Sequence, residues 1–155
     1  MMSHLRQQIR DATRTAVLGT AMFGGQVYIG QTRPLAKDKG AVILIYTRTE
    51  SARRDANGRP PIQARRCSLF IELRVSTVGE PDDDLSEGQA QVESMMASLF
   101  SWDPPVTIMG GLLLDLEYLG CEEVVESTGE KHIGAVRLEY AATYRVTEGA
   151  PTASV

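Results

Sequence analysis

Apolar residues recur at helical spacing near the amino terminus: Leu5, Ile9, Ala12, Ala16 and Val17, with Arg6, Gln7, Arg10 and Asp11 mostly on the opposite side. This spacing predicts a helix, with Ser3 placed to cap it and Gly19 and the Gly24-Gly25 pair to end it. A short strand "QVYIG" follows, then a polar turn "QTRPLAKDK" punctuated by Pro34 and Gly40, then "AVILIYT", whose unbroken apolar run reads as a buried strand. Further on, "RCSLFIELRVST" alternates. Cys67, Leu69, Ile71, Leu73 and Val75 share one face, and Ser68, Glu72, Arg74 and Ser76 the other, as in a half-buried strand.

The stretch "GEPDDDLSEGQAQVESMMASLFSW" predicts a second helix with Leu85, Val92, Met95, Met96, Leu99 and Phe100 on its apolar side, stopped by Asp103-Pro104-Pro105. Asp82, Asp83 and Asp84 open it, where carboxylates suit the positive end of the helix dipole. Two last strands, "LLLDLEYLG" and "HIGAVRLEYAATYRV", flank a hairpin turn at Ser127-Thr128-Gly129-Glu130. In the second of these, Val136, Leu138, Tyr140, Ala142 and Tyr144 alternate with Arg137, Glu139, Ala141, Thr143 and Arg145.

No period survives between Tyr46 and Cys67, where Asn57-Gly58 and Pro60-Pro61 break both helical and strand patterns. Residues 48–66 therefore read as a long basic loop, poorly ordered until a partner arrives. Residues 147–155 read as a disordered tail after one α+β domain spanning residues 1–146. The expected architecture is a two-layer sandwich: a mostly antiparallel or mixed sheet of about five strands with two helices on one face. The other face, carrying Ser68, Glu72, Arg74, Arg137, Glu139 and Arg145, is too polar for a second core layer and suits water or a subunit interface.

Composition narrows the partners. The chain has 155 residues, 43% of them hydrophobic, enough for a core without disulfide or metal staples. A net charge of −4 argues against a dedicated nucleic-acid binder, so the arginines act locally. Cys67 and Cys121 stand alone, without the spacing of a disulfide framework or zinc site, which suits a reducing compartment. No apolar run is long enough to span a bilayer, and no secretory leader is visible, so no membrane partner is expected.

Chemistry is sought in residue types and found to be sparse. His4 and His132 read as ordinary surface residues rather than an acid/base or ligand pair. "GTAMFGG" lacks the lysine and spacing of a phosphate-binding loop and reads as a helix end. Asp82, Asp83 and Asp84 lack the spacing of a calcium loop, so helix capping is the better account. Glu122, Glu123 and Glu126 read as a charged strand rim, and both cysteines as buried inert thiols. Trp102 is expected to fasten the second helix to the sheet. No catalytic, cofactor or metal site is expected. The chain does not read as an enzyme.

The candidate interface residues are Arg48, Arg53, Arg54, Arg59, Arg65 and Arg66 in the basic segment, with Asp82, Asp83 and Asp84 as an acidic counterpart. No aromatic lies within residues 48–66, so base stacking is not expected there; a small binding module touching nucleic acid would do so through phosphate.

Three stretches, "LRQQIRDATRTAVLG", "RPLAKDKGAVILIYTRTE" and "GAVRLEYAATYRV", together with the order of elements, resemble tail terminator proteins of long-tailed phages, the group of the phage lambda minor tail protein U. The resemblance extends over nearly the whole chain as a pattern and contains no catalytic motif. It implies a structural virion protein, phage or gene-transfer-particle, that caps the tail tube as a hexameric ring and stops tube polymerisation. The ring would form the head-tail joining surface, with the tail tube protein and the head-tail connector protein as partners and passive contact with DNA in the lumen. It implies residence in the virion tail, and in the host cytoplasm during assembly. Head-tail connector and tail-completion proteins of similar size are the neighbouring alternatives. The resemblance carries architecture and role, and no individual functional residue.

Overall fold

The computed structural model describes residues 3–20, 26–30, 40–77, 81–128 and 131–155. Among them the elements run α1 (Leu5–Val17), β1 (Val27–Ile29), β2 (Ala41–Ala56), β3 (Ile62–Thr77), α2 (Pro81–Ala97), β4 (Phe100–Ser101), β5 (Thr107–Ile108), β6 (Asp115–Thr128), β7 (Lys131–Thr147) and β8 (Ala150–Ser154). The expected glycine stop at Gly24-Gly25, the turn containing Pro34 and the hairpin residues Gly129 and Glu130 lie outside the described residues.

The fold is α+β: two helices packed on one face of a mixed six-stranded sheet, with β4 and β5 forming a small separate hairpin. The sheet order is β1-β2-β3-β7-β6, with β8 added to β7. β1 runs parallel to β2 and every other pair is antiparallel. The two helices divide the sheet between them, α1 lying against β1, β2 and β8 and α2 against β3 and β7.

The alternation legible in β3 sets the core. Cys67, Leu69, Ile71 and Leu73 meet Ile43 and Ile45 of β2, Leu138, Ala142 and Tyr144 of β7, Leu5, Ile9 and Val17 of α1, and Leu85, Val92 and Met96 of α2. Burial of each large aliphatic side chain here stabilises the fold by roughly 1.5–3 kcal/mol. α2 lies close on the sheet at Gly134, where a Cβ would stand 2.7 Å from Leu85 Cδ1 and 2.9 Å from Pro81 Cβ. A hydrogen at this position lets the helix start lie directly on β7.

α1 is capped by His4 in place of the expected Ser3. The imidazole Nδ1 accepts from the backbone N–H of Arg6 at 3.1 Å, satisfying one of the free donors of the first turn. On the buried side of the helix, Thr13 replaces the expected small residues and donates its hydroxyl to the Ile9 carbonyl.

Four expectations are corrected. The long loop 48–66 is largely strand: β2 continues to Ala56 and β3 begins at Ile62, so only residues 57–61 turn the chain. Its lack of period has a physical cause, since residues 51–56 are exposed on both faces and have no apolar side to alternate. Second, the tail is not disordered. β7 reaches Thr147, Gly149 turns at φ +84°, and β8 returns along β7 with Val146 opposite Ser154 and Thr147 opposite Ala150.

Third, the far face of the sheet is not uniformly polar. Val42, Leu44, Tyr46 and Phe70 form a second buried cluster, with Tyr46 and Phe70 stacked at 5.3 Å, because the run "AVILIYT" is apolar on both of its faces. Fourth, Trp102 does not fasten α2 to the sheet. It is 71% exposed and stacks on Phe100, whose own side chain packs against the core.

Candidate interaction surface

The six arginines lie along the β2–β3 hairpin, and β3 holds that hairpin in place. β3 pairs β2 on one side and β7 on the other along its length, from Ile62 opposite Thr147 to Thr77 opposite His132. β1 borders β2 only at Ile43, Leu44 and Ile45, so beyond Ile45 no strand among the described residues covers the outer edge of β2.

The side chains sort by face. Arg54 points to the helix side and pairs with Glu148 at 3.1 Å, next to Val146 of β7. Arg65 is on the same side and reaches Glu50 at 3.8 Å. On the far side Arg66 meets Glu117 of β6 at 3.6 Å, and Asp55 pairs with Arg145 of β7. Arg48 lies over the rings of Tyr46 and Phe70, 5.6 and 5.8 Å from their centroids, a cation–π arrangement. Arg53 and Arg59 are exposed and form no ion pair with any described residue.

Where the hairpin meets the core, Glu50 gathers a polar cluster. The buried Tyr144 hydroxyl donates to its carboxylate, and Arg6 of α1 approaches at 3.9 Å in addition to Arg65. Arg10 of α1 donates to the Thr47 hydroxyl at 2.9 Å. Burial, and then the Glu50 charge, push the neighbouring Cys67 thiol up to about 11. Cys67 is therefore a protonated core side chain at neutral pH and no nucleophile. Burial, followed by the nearby Arg6, lowers the His4 pKa from its ordinary value. The sequence contained every member of this cluster, but nothing in its spacing joined Glu50 to Tyr144, 94 residues away.

Asp82, Asp83 and Asp84 do occupy the first turn of α2, as expected of helix-capping carboxylates. Among the described residues they form no ion pair with an arginine. Asp82 instead faces Glu123 of β6, and the hydrogen bond between the two carboxyls, with burial second, raises the Glu123 pKa. Glu122 pairs with Arg137 at 2.5 Å on the far face. Cys121, expected to be buried, is exposed beside Gln89 of α2. No group of three or more His, Cys, Asp or Glu side chains able to hold a metal occurs among the described residues.

Two open concavities flank these groups. One, of about 400 Å³, is lined by Ser51, Arg53, Ala64, Arg65, Arg66 and Thr143 at the hairpin. Glu50 and Glu117 already pair with Arg65 and Arg66, so this basic concavity is a poor cradle for phosphate. The other, of about 220 Å³, lies at the bulge in β6 beside Phe70, Gly120 and Arg137. Among the described residues, much of this charge is displayed along strand edges and open concavities. Such a display is suited to surface-to-surface contact.

No protein-family model and no curated protein sequence matches the chain. Among solved structures it is similar to a chain of the virion of a native gene transfer agent (GTA) particle, at 16% identity, with 92% of each chain covered and a TM-score of 0.48.

Proposed function

We propose that the chain is a non-enzymatic structural component of a phage-like virion, a tail terminator that caps the tail tube as a ring and presents the surface to which the head joins. The observation that carries this reading is that the stretches resembling tail terminators fall on the framework of the fold. "LRQQIRDATRTAV" is α1, "AVILIYT" is the doubly buried start of β2, and "GAVRLEYAATYRV" is the strand β7 beside β3. The two-layer α+β architecture is the one the resemblance implies. The hairpin adds a support from physical chemistry. A charged hairpin with an uncovered strand edge is a feature of chains that meet a neighbour.

The test is direct. The purified chain is added to tail tubes assembled without a terminator, and tube ends and lengths are followed by electron microscopy. The expected result is a ring at the tube end and arrested growth. Tubes that lengthen unchecked and stay bare at both ends would overturn the reading.

A further inference from the structure

Charge is divided along this chain, and the fold turns that division into two opposite flanks. Residues 75–130 contain thirteen Asp and Glu and no Lys, Arg or His, whereas residues 1–74 contain thirteen Lys and Arg against five Asp and Glu. The acidic stretch builds α2 and β6, and β6 is a terminal strand of the sheet. The basic stretch builds the β2–β3 hairpin, whose β2 edge lies on the other side of the sheet and is uncovered beyond Ile45 among the described residues.

Several charges are already used within the chain. Arg54, Arg65, Arg66, Arg137 and Arg145 have acidic partners. Arg53 and Arg59 on one flank and Asp83, Glu87 and Asp115 on the other are exposed and make no ion pair among the described residues.

We propose that copies of this chain join side by side through these flanks, the hairpin edge bearing Arg53 and Arg59 of one copy meeting the β6–α2 flank bearing Asp83, Glu87 and Asp115 of the next. The occupant of each flank is a second copy of the same chain, and the contact rests on reading the chain as a ring-forming subunit. Sign selects the geometry. Two acidic flanks repel, as do two basic ones, so a two-fold, same-to-same dimer is disfavoured and only the head-to-tail junction is attractive. Head-to-tail junctions generate rings when the rotation closes. The like charges on each flank also guard its exposed strand edge against pairing with its own kind.

A pair of charge reversals tests the contact. One variant carries Arg53→Glu and Arg59→Glu, and the other carries Asp83→Lys and Asp115→Lys. Association is measured by light scattering at low and high salt, and capping of tail tubes by electron microscopy. The natural chain should associate at low salt, with a dissociation constant that rises about tenfold or more on going to high salt. Each variant alone should remain monomeric, and an equimolar mixture should reassociate because both of its junctions are again attractive. Reassociation also shows that both variants fold.

Variants that self-associate like the natural chain, a mixture that stays monomeric, or a natural chain that stays monomeric at low salt would each overturn the contact. The terminator reading fails separately. If both variants cap tubes as well as the natural chain does, the contact is wrong and that reading stands. If the natural chain associates through these flanks yet leaves tubes bare, the contact stands and that reading is wrong.

Discussion

The β2–β3 pair is held together by different forces at its two ends. Toward the start of β2, Ile43 and Ile45 face the helices while Val42, Leu44 and Tyr46 face the second cluster, and every one of these side chains is buried. Ten residues further on, β2 is exposed from Ser51 to Ala56 while the opposing Ile62–Arg65 of β3 is only half-buried, and ion pairs to Glu148, Glu117 and Arg145 take over from apolar contact. One end is held by removal of surface from water, the other by register and charge. The first is strong and indifferent to salt; the second is weak and screened. A hairpin built this way has a fixed root and a tip whose chemistry is available to a neighbour.

The largest expected effect is at the root. Ile71→Ala removes a fully buried side chain between the sheet and its helices, and a loss of about 2–5 kcal/mol in denaturant unfolding is expected. A loss below about 1 kcal/mol would show that the core there collapses around the gap.

The junction of the two ends comes next. Glu50→Ala leaves the buried Tyr144 hydroxyl without its acceptor and should cost about 1–3 kcal/mol. Combining it with Tyr144→Phe should cost less than the sum of the two single changes. Strict additivity in that double-mutant cycle would mean that the two groups do not act as a pair.

His4 connects the same region to pH. Its folded pKa lies below the ordinary 6.5 because of burial and Arg6, so the unfolded chain takes up a proton first as pH falls. Stability should therefore drop as pH is lowered from 6.5 through the folded value, with loss of the cap to the Arg6 N–H. His4→Asn keeps a capping side chain without a titrating ring. Its stability relative to the natural chain should be greater at pH 5 than at pH 7.5. Parallel pH profiles for the two proteins would remove His4 from the account.

The smallest effects belong to the tip. Arg54→Ala and Arg145→Ala break partly exposed ion pairs, and each should cost about 0.2–1 kcal/mol at low salt and less at high salt. A cost at either site as large as that of Ile71→Ala would erase the distinction between root and tip.

This difference in forces also explains what could be read from the chain. Leu69, Ile71 and Leu73 announced a strand because one side of it is buried, and Leu5 and Ile9 announced a helix for the same reason. Residues 51–56 announced nothing, because a strand wet on both faces has no period to detect. Their partners Arg145 and Glu148 are far along the sequence, and only the fold brings them near. β8 was equally silent. Pro151 and its small neighbours carry weak strand propensity, and pairing with β7, helped by the bond from Gln8 to the Thr152 carbonyl, makes the strand.

Among the candidate interface residues, composition singled out the right class of side chain but not its commitments. Arg65 and Arg66 looked as available as Arg53 and Arg59, yet only the latter pair lacks an acid among the described residues. Trp102 departs from its expected place for a related reason. The sequence shows that an aromatic follows the helix, but not that Phe100 takes the inward position and leaves Trp102 outside.

The two cysteines differ in a way that has a practical use. Cys67 is shut in the core with its thiol held protonated, while Cys121 is exposed on β6, on the acidic flank. An alkylating probe at neutral pH should therefore mark position 121 alone in the folded chain. A fluorophore carried there would report on that flank from within each molecule, and quenching or shielding on mixing would show when it becomes covered.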